Sequence, residues 1–398
     1  MTSRTLIVLP AAAAIVTGGV APCGALGAFF SIQDLGSLSG WTVPAALAES
    51  GEVIGSTVAS DWHSRGFLWS GSFAVLPHFP PLSESQGMDL NSEDDFVQAA
   101  YTLGAVHAAA LRTSAGSSVE LGAFVPTSMT SFGAVAGTQE LPGAFGVLVP
   151  HAVVWNAGVL TVLPQLPGGE GASASDLTDD FRIVGSAFPA EALAPRATLW
   201  SPAGVFDLGT LGGGSSHAEA IAGAGYVCGH SATTTAPMHA FRFRLEGTSV
   251  VERLDLGTLG GGWSVAYDVN DHGWVVGTSD DRAFVWIDGA MWDLNLGIDS
   301  DLGWSLIGAT GINNSGEIVG WGELGALGLR AFRLILFPSP CAGDVNGDGA
   351  TNAADFTILA GHFGVASGAT RVQGDLNGDG AVNVEDFTVL AGDFGCGS

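Results

Sequence analysis

A short pattern returns seven times along this chain at an almost constant interval. Each copy opens with Arg or His, continues with a small residue and runs into an apolar stretch often closed by Trp. The copies are Arg65-Gly-Phe-Leu-Trp69, His107-Ala-Ala-Ala-Leu111, His151-Ala-Val-Val-Trp155, Arg196-Ala-Thr-Leu-Trp200, His239-Ala-Phe-Arg-Phe243, Arg282-Ala-Phe-Val-Trp286 and Arg330-Ala-Phe-Arg-Leu334. Their opening residues lie 42, 44, 45, 43, 43 and 48 positions apart. A period in that range means one supersecondary unit stacked on copies of itself, so the contents of one unit decide the fold.

Two further anchors define the unit. A Gly-x-Val-Val-Gly-like strand precedes the pattern at 51–55, 133–137, 225–229, 273–277 and 316–320, with weaker copies ending at Ala100 and Gly185. An Asp-Leu-Gly segment follows it, seen at Asp34, Asp207 and Asp255 and eroded to forms such as Glu120-Leu-Gly122. With a small, polar strand such as Ala218-Glu-Ala-Ile221 at the front, each unit supplies four short strands. Four strands in such a period predict a β-propeller blade, and small residues suit the crowded innermost strand.

The ends of the array bear on closure. The seventh unit has no Asp-Leu-Gly strand after it, whereas an orphan copy, Ser31-Ile-Gln-Asp-Leu-Gly36, stands before the first. If the orphan completes the last blade, the ring shuts and no edge is exposed. An open β-solenoid would leave that strand unexplained. The expected fold is therefore an all-β, seven-bladed propeller. Together the anchors resemble the HAF family of extracellular repeats, whose His-Ala-Phe triplet stands at 239–241; the resemblance runs from about residue 32 to 336.

The tail follows a different rule. Asp344-Val-Asn-Gly-Asp-Gly-Ala-Thr-Asn-Ala-Ala-Asp355 and Asp375-Leu-Asn-Gly-Asp-Gly-Ala-Val-Asn-Val-Glu-Asp386 are twelve-residue loops with oxygen-bearing side chains at positions 1, 3, 5, 9 and 12 and glycine at 6. Alternating oxygens around a sharp glycine turn are what a hard cation needs, and the carboxylates would repel one another without it. After each loop an apolar stripe repeats at helical spacing: Phe356, Leu359, Ala360 and Phe363, then Phe387, Leu390, Ala391 and Phe394. These stripes are expected to face inward, with Gly364 and Gly395 as left-handed stops.

The duplicated loop and helix resemble the type I dockerin module, a small all-α, calcium-binding domain that docks onto a cohesin. The resemblance covers about 341–398. It implies two calcium ions held by Asp344, Asn346, Asp348, Asn352 and Asp355, and by Asp375, Asn377, Asp379, Asn383 and Asp386, with the carbonyls of Ala350 and Ala381 at position 7. Cohesin-binding dockerins tend to carry a Ser-Thr pair before the last ligand and a basic pair in the helix. Here those places hold Ala353-Ala354 and Val384-Glu385, then Ala360-Gly361 and Ala391-Gly392. Cys341 and Cys396 bracket the module where its two ends should meet, and a disulfide is expected between them. Cys228, in a predicted strand, reads as a small buried hydrophobe.

Residues 1–27 read as an export signal: Arg4, an apolar stretch from Leu6 to Val20, then small residues around a cleavage region. The expected domains are thus a signal at 1–27, a propeller at 28–338 and a dockerin-like module at 339–398. The net charge is −27 with no lysine, all 12 basic residues being arginine, which disfavours nucleic-acid and anionic-membrane partners. No membrane insertion is expected. Paired acids at Asp94-Asp95, Asp179-Asp180, Asp280-Asp281 and Asp299 with Asp301 fall in predicted turns, and the repeated His and Arg cannot converge on one ligand. Bonding to a neighbouring blade or a loop carbonyl is expected of them. His217-Ala-Glu219 is the one pair placed to face the channel. No hydrolase, zinc or phosphate-loop motif is present.

The reading is a secreted or surface-associated, non-enzymatic protein. Its propeller would recognise a glycan or protein ligand, and its calcium-dependent tail would attach it to a cohesin-like partner. The alternative is a dockerin-bearing glycoside hydrolase or lyase.

Overall fold

The computed structural model describes residues 30–396 apart from 39, 59–62, 77–83, 92–94, 103–104, 113–117, 144–145, 191–193, 236–237, 288, 337–342, 346–350, 367–368, 370–372 and 377–380. The expected signal at 1–27 lies outside these residues.

Seven four-stranded antiparallel sheets follow one another as blades. Blade 1 comprises Thr42–Leu47, Val53–Val58, Ser64–Trp69 and Phe73–Val75. Blades 2 to 6 span 84–122, 125–162, 172–209, 212–257 and 264–293. Blade 7 takes Trp304–Ile312, Ile318–Leu324 and Leu329–Leu336, and its fourth strand is Phe30–Asp34 from the other end of the propeller. The orphan segment pairs from Phe30 opposite Leu336 to Asp34 opposite Phe332. The first strand of every blade neighbours the first strand of the next, and that of blade 7 meets that of blade 1. The first strands are therefore innermost, as their small residues predict, and the ring is closed.

The three anchors have separate physical causes. In the Arg/His pattern, the small residue and the following Phe are the blade's packing units: Phe67, Phe241, Phe284 and Phe332 are fully buried, as are Ala240, Ala283 and Ala331. In Asp-Leu-Gly, the Asp Oδ1 accepts the N–H of the Gly two residues on at Asp34, Asp207 and Asp255. The Leu is buried, and the Gly adopts φ of +94°, +85° and +72°. This Asx turn ends the outer strand.

In Gly-x-Val-Val-Gly the two glycines do different jobs. The first is left-handed, with φ between +74° and +89°, and turns the chain out of the innermost strand. The second faces a β-bulge: the innermost strands of blades 1, 3, 4, 5 and 6 each carry an extra residue there, and its blade 7 counterpart sits beside a register shift too. The bulge presses a carbonyl onto the glycine, so an added Cβ at Gly229 or Gly277 would collide with the oxygen of His217 or Val265. Gly277→Ala is expected to destabilise the propeller by ~2–3 kcal/mol. Gly262→Ala, whose methyl would meet open space, is expected to be nearly neutral. Denaturant titration of both variants checks this.

The tail forms two helices, α1 (Ala353–His362) and α2 (Val384–Asp393). They pack over a small core of Val345, Leu359, Ala369, Val382 and Leu390. Gly364 and Gly395 stop them with φ of +97° and +91°. One expectation fails. Leu359 and Leu390 are buried, but Phe356, Phe363, Phe387 and Phe394 are 40–58% exposed, and Phe356 meets Phe387 edge-on at 6.1 Å. The loops supply enough apolar residues to fill the interior, so the aromatic rings stay outside.

Candidate functional sites

The described ends of the tail's two loops are built alike. Asn352 and Asn383 cap α1 and α2, accepting N–H bonds from Ala354 and Glu385. The Asp at position 12 completes each capping box and also holds the loop's start. Asp355 accepts the N–H groups of Asn352 (2.9 Å) and Val345 (2.8 Å). Asp386 does the same for Asn383 (2.9 Å) and Leu376 (2.8 Å). The carboxyls at positions 1 and 12 of both loops are buried: Asp344, Asp355, Asp375 and Asp386 are at most 6% exposed. Asn346, Asp348, Ala350, Asn377 and Asp379 lie outside the described residues. Ala381 is described and half-buried.

The halves clasp each other crosswise. Thr351, at position 8 of the first loop, exchanges backbone bonds with Gly395 and Cys396 after α2 (2.8 and 3.0 Å). Val382, at position 8 of the second, exchanges them with Gly364 and Val365 after α1 (both 2.8 Å). Asp393 accepts from the Gly343 N–H and the Thr351 hydroxyl, bringing the two ends of the module together. Cys396 is disulfide-bonded there; its expected partner Cys341 lies outside the described residues. Cys228 is a buried free thiol. These features decide the tail. Residues 342–394 match the sequence profile of the Dockerin type I domain. In this dockerin domain the pairs Ala353-Ala354 and Val384-Glu385 are exposed at the helix starts. The four Phe rings are exposed as well, Phe356 and Phe387 meeting each other.

No curated protein matches the chain. Among solved structures it is similar to TolB from Acinetobacter baumannii, at 11% identity and a TM-score of 0.42, over 75% of this chain and 64% of that one. A gluconolactonase from Xanthomonas campestris aligns at 12% identity and 0.40, over 77% and 90% of the two chains. A prolyl endopeptidase structure aligns at 11% and 0.45, over 78% and 50%. This chain thus spans slightly less than two thirds of TolB.

In the propeller, the repeated Arg and His bond chiefly within their own blade, not to the neighbouring blade as expected. His239 Nδ1 lies 2.9 Å from Asp255 Oδ1, and Arg330 holds Asp34 through two bonds of 3.2 and 2.7 Å. Arg282 pairs with Asp293 and also donates to the Leu259 carbonyl, the loop bond that was expected. The cause is strand order: third and fourth strands are adjacent, so the Asp of one faces the basic residue of the other.

The paired acids are turn formers. Asp179 accepts the N–H and hydroxyl of Ser131 in the preceding blade's turn, and Asp180 accepts from Thr178 and Arg182. Asp280 and Asp281 occupy a left-handed hairpin turn with φ of 51° and 60°. Asp299 caps a short 3-10 turn through the Asp301 N–H. Asp95 donates its N–H to Asn91, while Asp94 lies outside the described residues.

Three other acids matter more, and the sequence reading passed over them. Asp89, Asp176 and Asp268 stand just after the bulge in the innermost strands of blades 2, 4 and 6. Each carboxylate spans to the next blade, accepting N–H bonds of 2.7 Å from Met129, Ile221 and Ile312 with one oxygen. The other oxygen takes the N–H of the following residue of its own strand. Burial around the channel raises all three; Asp89 is pushed to about 7, also by Asp176, and Asp268 to about 8, also by Asp176 and Asp89. Because these carboxyls hold their protons more tightly when folded, their contribution favours the native state at low pH. It is lost as pH rises from the ordinary carboxylate range through about 7 to 8. The propeller is expected to resist urea better at about pH 5 than at about pH 9. Asp268→Asn should flatten that slope while costing ~1–3 kcal/mol throughout, since an amide has one oxygen to accept the two N–H groups of Ile312 and Val269.

His217 and Glu219 face the channel together, as expected, and gather partners. Glu219 lies 3.8 Å from His217 Nε2 and 3.4 Å from His230 Nδ1, and the two imidazoles stack at 5.6 Å with planes 10° apart. Ser175 Oγ of blade 4 is 3.1 Å from His217 Nε2. The serine and the carboxylate thus meet the same ring nitrogen, whereas a nucleophile relay needs the acid on the opposite one. Stacked parallel imidazoles do not aim in-plane lone pairs at one point, and among the described residues no group of three His, Cys, Asp or Glu side chains is arranged to hold a metal ion. No described helix is long and apolar enough to cross a membrane.

Proposed function

We propose that this is a secreted recognition protein without catalytic activity. Its propeller, read as built from HAF-type repeats over 28–338, presents a ligand surface, and its dockerin domain attaches it to a cohesin-like partner in a calcium-dependent way. The observation that carries the attachment role is the dockerin match over 342–394, together with carboxyls buried at the first and last positions of both loops. Buried acids in a module this small need a cation beside them, and the donor set is all oxygen, as calcium prefers. Two ions, one per loop, follow from the duplication. The exposed Phe356, Phe363, Phe387, Phe394 and Val384 supply the apolar area a protein partner would cover.

For the propeller, the non-enzymatic reading is supported by the use of its acids. The paired Asp residues are occupied by turns, the inner Asp residues by the next blade's N–H groups, and Glu219 by histidine. A glycan-cleaving propeller, the second reading, would draw on the Glu219 cluster, where aromatic rings also gather. Two measurements decide. Full-length protein should bind immobilised type I cohesin in calcium and release in EDTA; no binding in calcium would remove the attachment role, and equal binding in both would remove its calcium dependence. Incubation with plant and algal polysaccharides should release no reducing ends or unsaturated products; release of either would install the second reading.

A further inference from the structure

The cluster around Glu219 is one part of an arc that crosses four blades. The bulge turns Ser175 in blade 4, Glu219 in blade 5 and Tyr267 in blade 6 out of their innermost strands at equivalent positions. All three are partly exposed, while the residues preceding them, Ala174, Ala218 and Ala266, are buried. Tyr267 lies close enough to Glu219 for that charge, after burial, to raise its phenol. On its other side Tyr267 meets Trp321 of blade 7, ring centres 6.1 Å apart and tilted by 50°. Trp321 lies over the innermost strand because its partner in register is Gly308; any Cβ there would occupy the indole's place. The glycine at that point is thus explained by the ring it admits.

The chemistry of the arc narrows the ligand. Glu219 accepts only. Burial works to raise its carboxyl, but His230 Nδ1 at 3.4 Å and His217 Nε2 at 3.8 Å outweigh this and hold it below the ordinary range. Burial pushes the His217 imidazole down, which favours the neutral form with one donor and one acceptor nitrogen. Ser175 and Tyr267 bring hydroxyls of either sense, and Trp321 brings a flat apolar face. A phosphate or other anion is opposed by Glu219 and by the chain's net charge of −27. A purely apolar ligand would strand Glu219 without solvent. Mixed donors and acceptors beside aromatic faces suit a neutral ring carrying hydroxyls on its edge and C–H groups on its face.

We propose that the arc formed by Ser175, His217, Glu219, His230, Tyr267 and Trp321 at the central channel binds a neutral sugar residue. Trp321 stacks on its C–H face with Tyr267 at its edge, and Glu219 and His217 bond its hydroxyls. This rests on the propeller being a recognition surface and is independent of the dockerin domain's partner. The test is calorimetric titration of the full chain with cellotetraose, xylotetraose and mannotetraose, alongside inorganic phosphate and tetramethylammonium. At least one oligosaccharide should bind. Trp321→Ala and Glu219→Gln should each weaken it by about tenfold or more, and Tyr267→Phe by less. Trp321→Phe, which keeps a smaller platform, should fall between wild type and Trp321→Ala and guards against a misfolded alanine variant. Failure of all three sugars, or preference for phosphate or tetramethylammonium, overturns the ligand class. Sugar binding indifferent to Trp321 and Glu219 overturns the site while leaving the recognition role of the propeller standing.

Discussion

A chain that begins after Gly36 is expected to lose its cooperative melt and to self-associate. Phe30–Asp34 is the fourth strand of blade 7, and without it Leu329–Leu336 becomes an open edge with unpaired N–H and C=O groups. The loss is more than five paired residues. Phe30 packs with Leu294, Ile298 and Phe332, and Leu35 sits in a second cluster with Val53, Phe67 and Val319. That second cluster joins blades 7 and 1, so the missing segment also loosens the seam of the ring. Two large buried side chains at ~1.5–3 kcal/mol each, with the hydrogen bonds beside them, approach the ~5–15 kcal/mol that holds an ordinary domain together.

The ion pair at the seam is the smaller contribution. Arg330 grips Asp34 bidentately, but Asp34 is part-exposed, so Asp34→Ala should cost about 1 kcal/mol, its Asx turn included. Truncation and point substitution therefore separate burial from charge. A synthetic peptide covering residues 30–37, added in excess, should restore the monomeric elution and the melt of the truncated chain by strand addition. A truncated chain that stays monomeric with an unchanged transition would mean that the ring does not depend on this seam.

That closure was legible because it rests on counting: seven third strands, six fourth strands after them, and one orphan in front. The blade interior was legible for a similar reason, since Phe241, Phe284 and Phe332 recur at one place in the period. Asp89, Asp176 and Asp268 escaped because they occupy alternate blades. Their separations, 87 and 92 positions, are twice the repeat, and the intervening blades hold Ser128 and Ala220 instead. A search at the doubled period is the signal that would have found them. In the dockerin domain, helical spacing correctly marked an apolar stripe at Phe356, Leu359 and Phe363. Periodicity does not say which members of a stripe are covered; the loop residues Val345 and Val382 took the interior places that the rings were expected to fill.

Removing calcium is expected to unfold the dockerin domain and leave the propeller's transition where it was. Four carboxyls are buried in a module of roughly fifty residues whose core is a handful of aliphatic side chains, too little to offset uncompensated charge. A cation bound at about 1,000 times its Kd would add about 4 kcal/mol, enough to decide whether so small a unit is folded. The crosswise clasp makes the loss cooperative. Since Thr351 of the first loop is bonded to the end of α2, and Val382 of the second to the end of α1, Asp344→Ala should loosen both halves and not the first alone. Scanning calorimetry with calcium and with EDTA should show two transitions, of which chelation removes the one assigned by hydrogen exchange to 343–396. A tail whose exchange protection is the same in both buffers would show that its carboxyls are balanced by the protein itself, and calcium would have no part in the attachment.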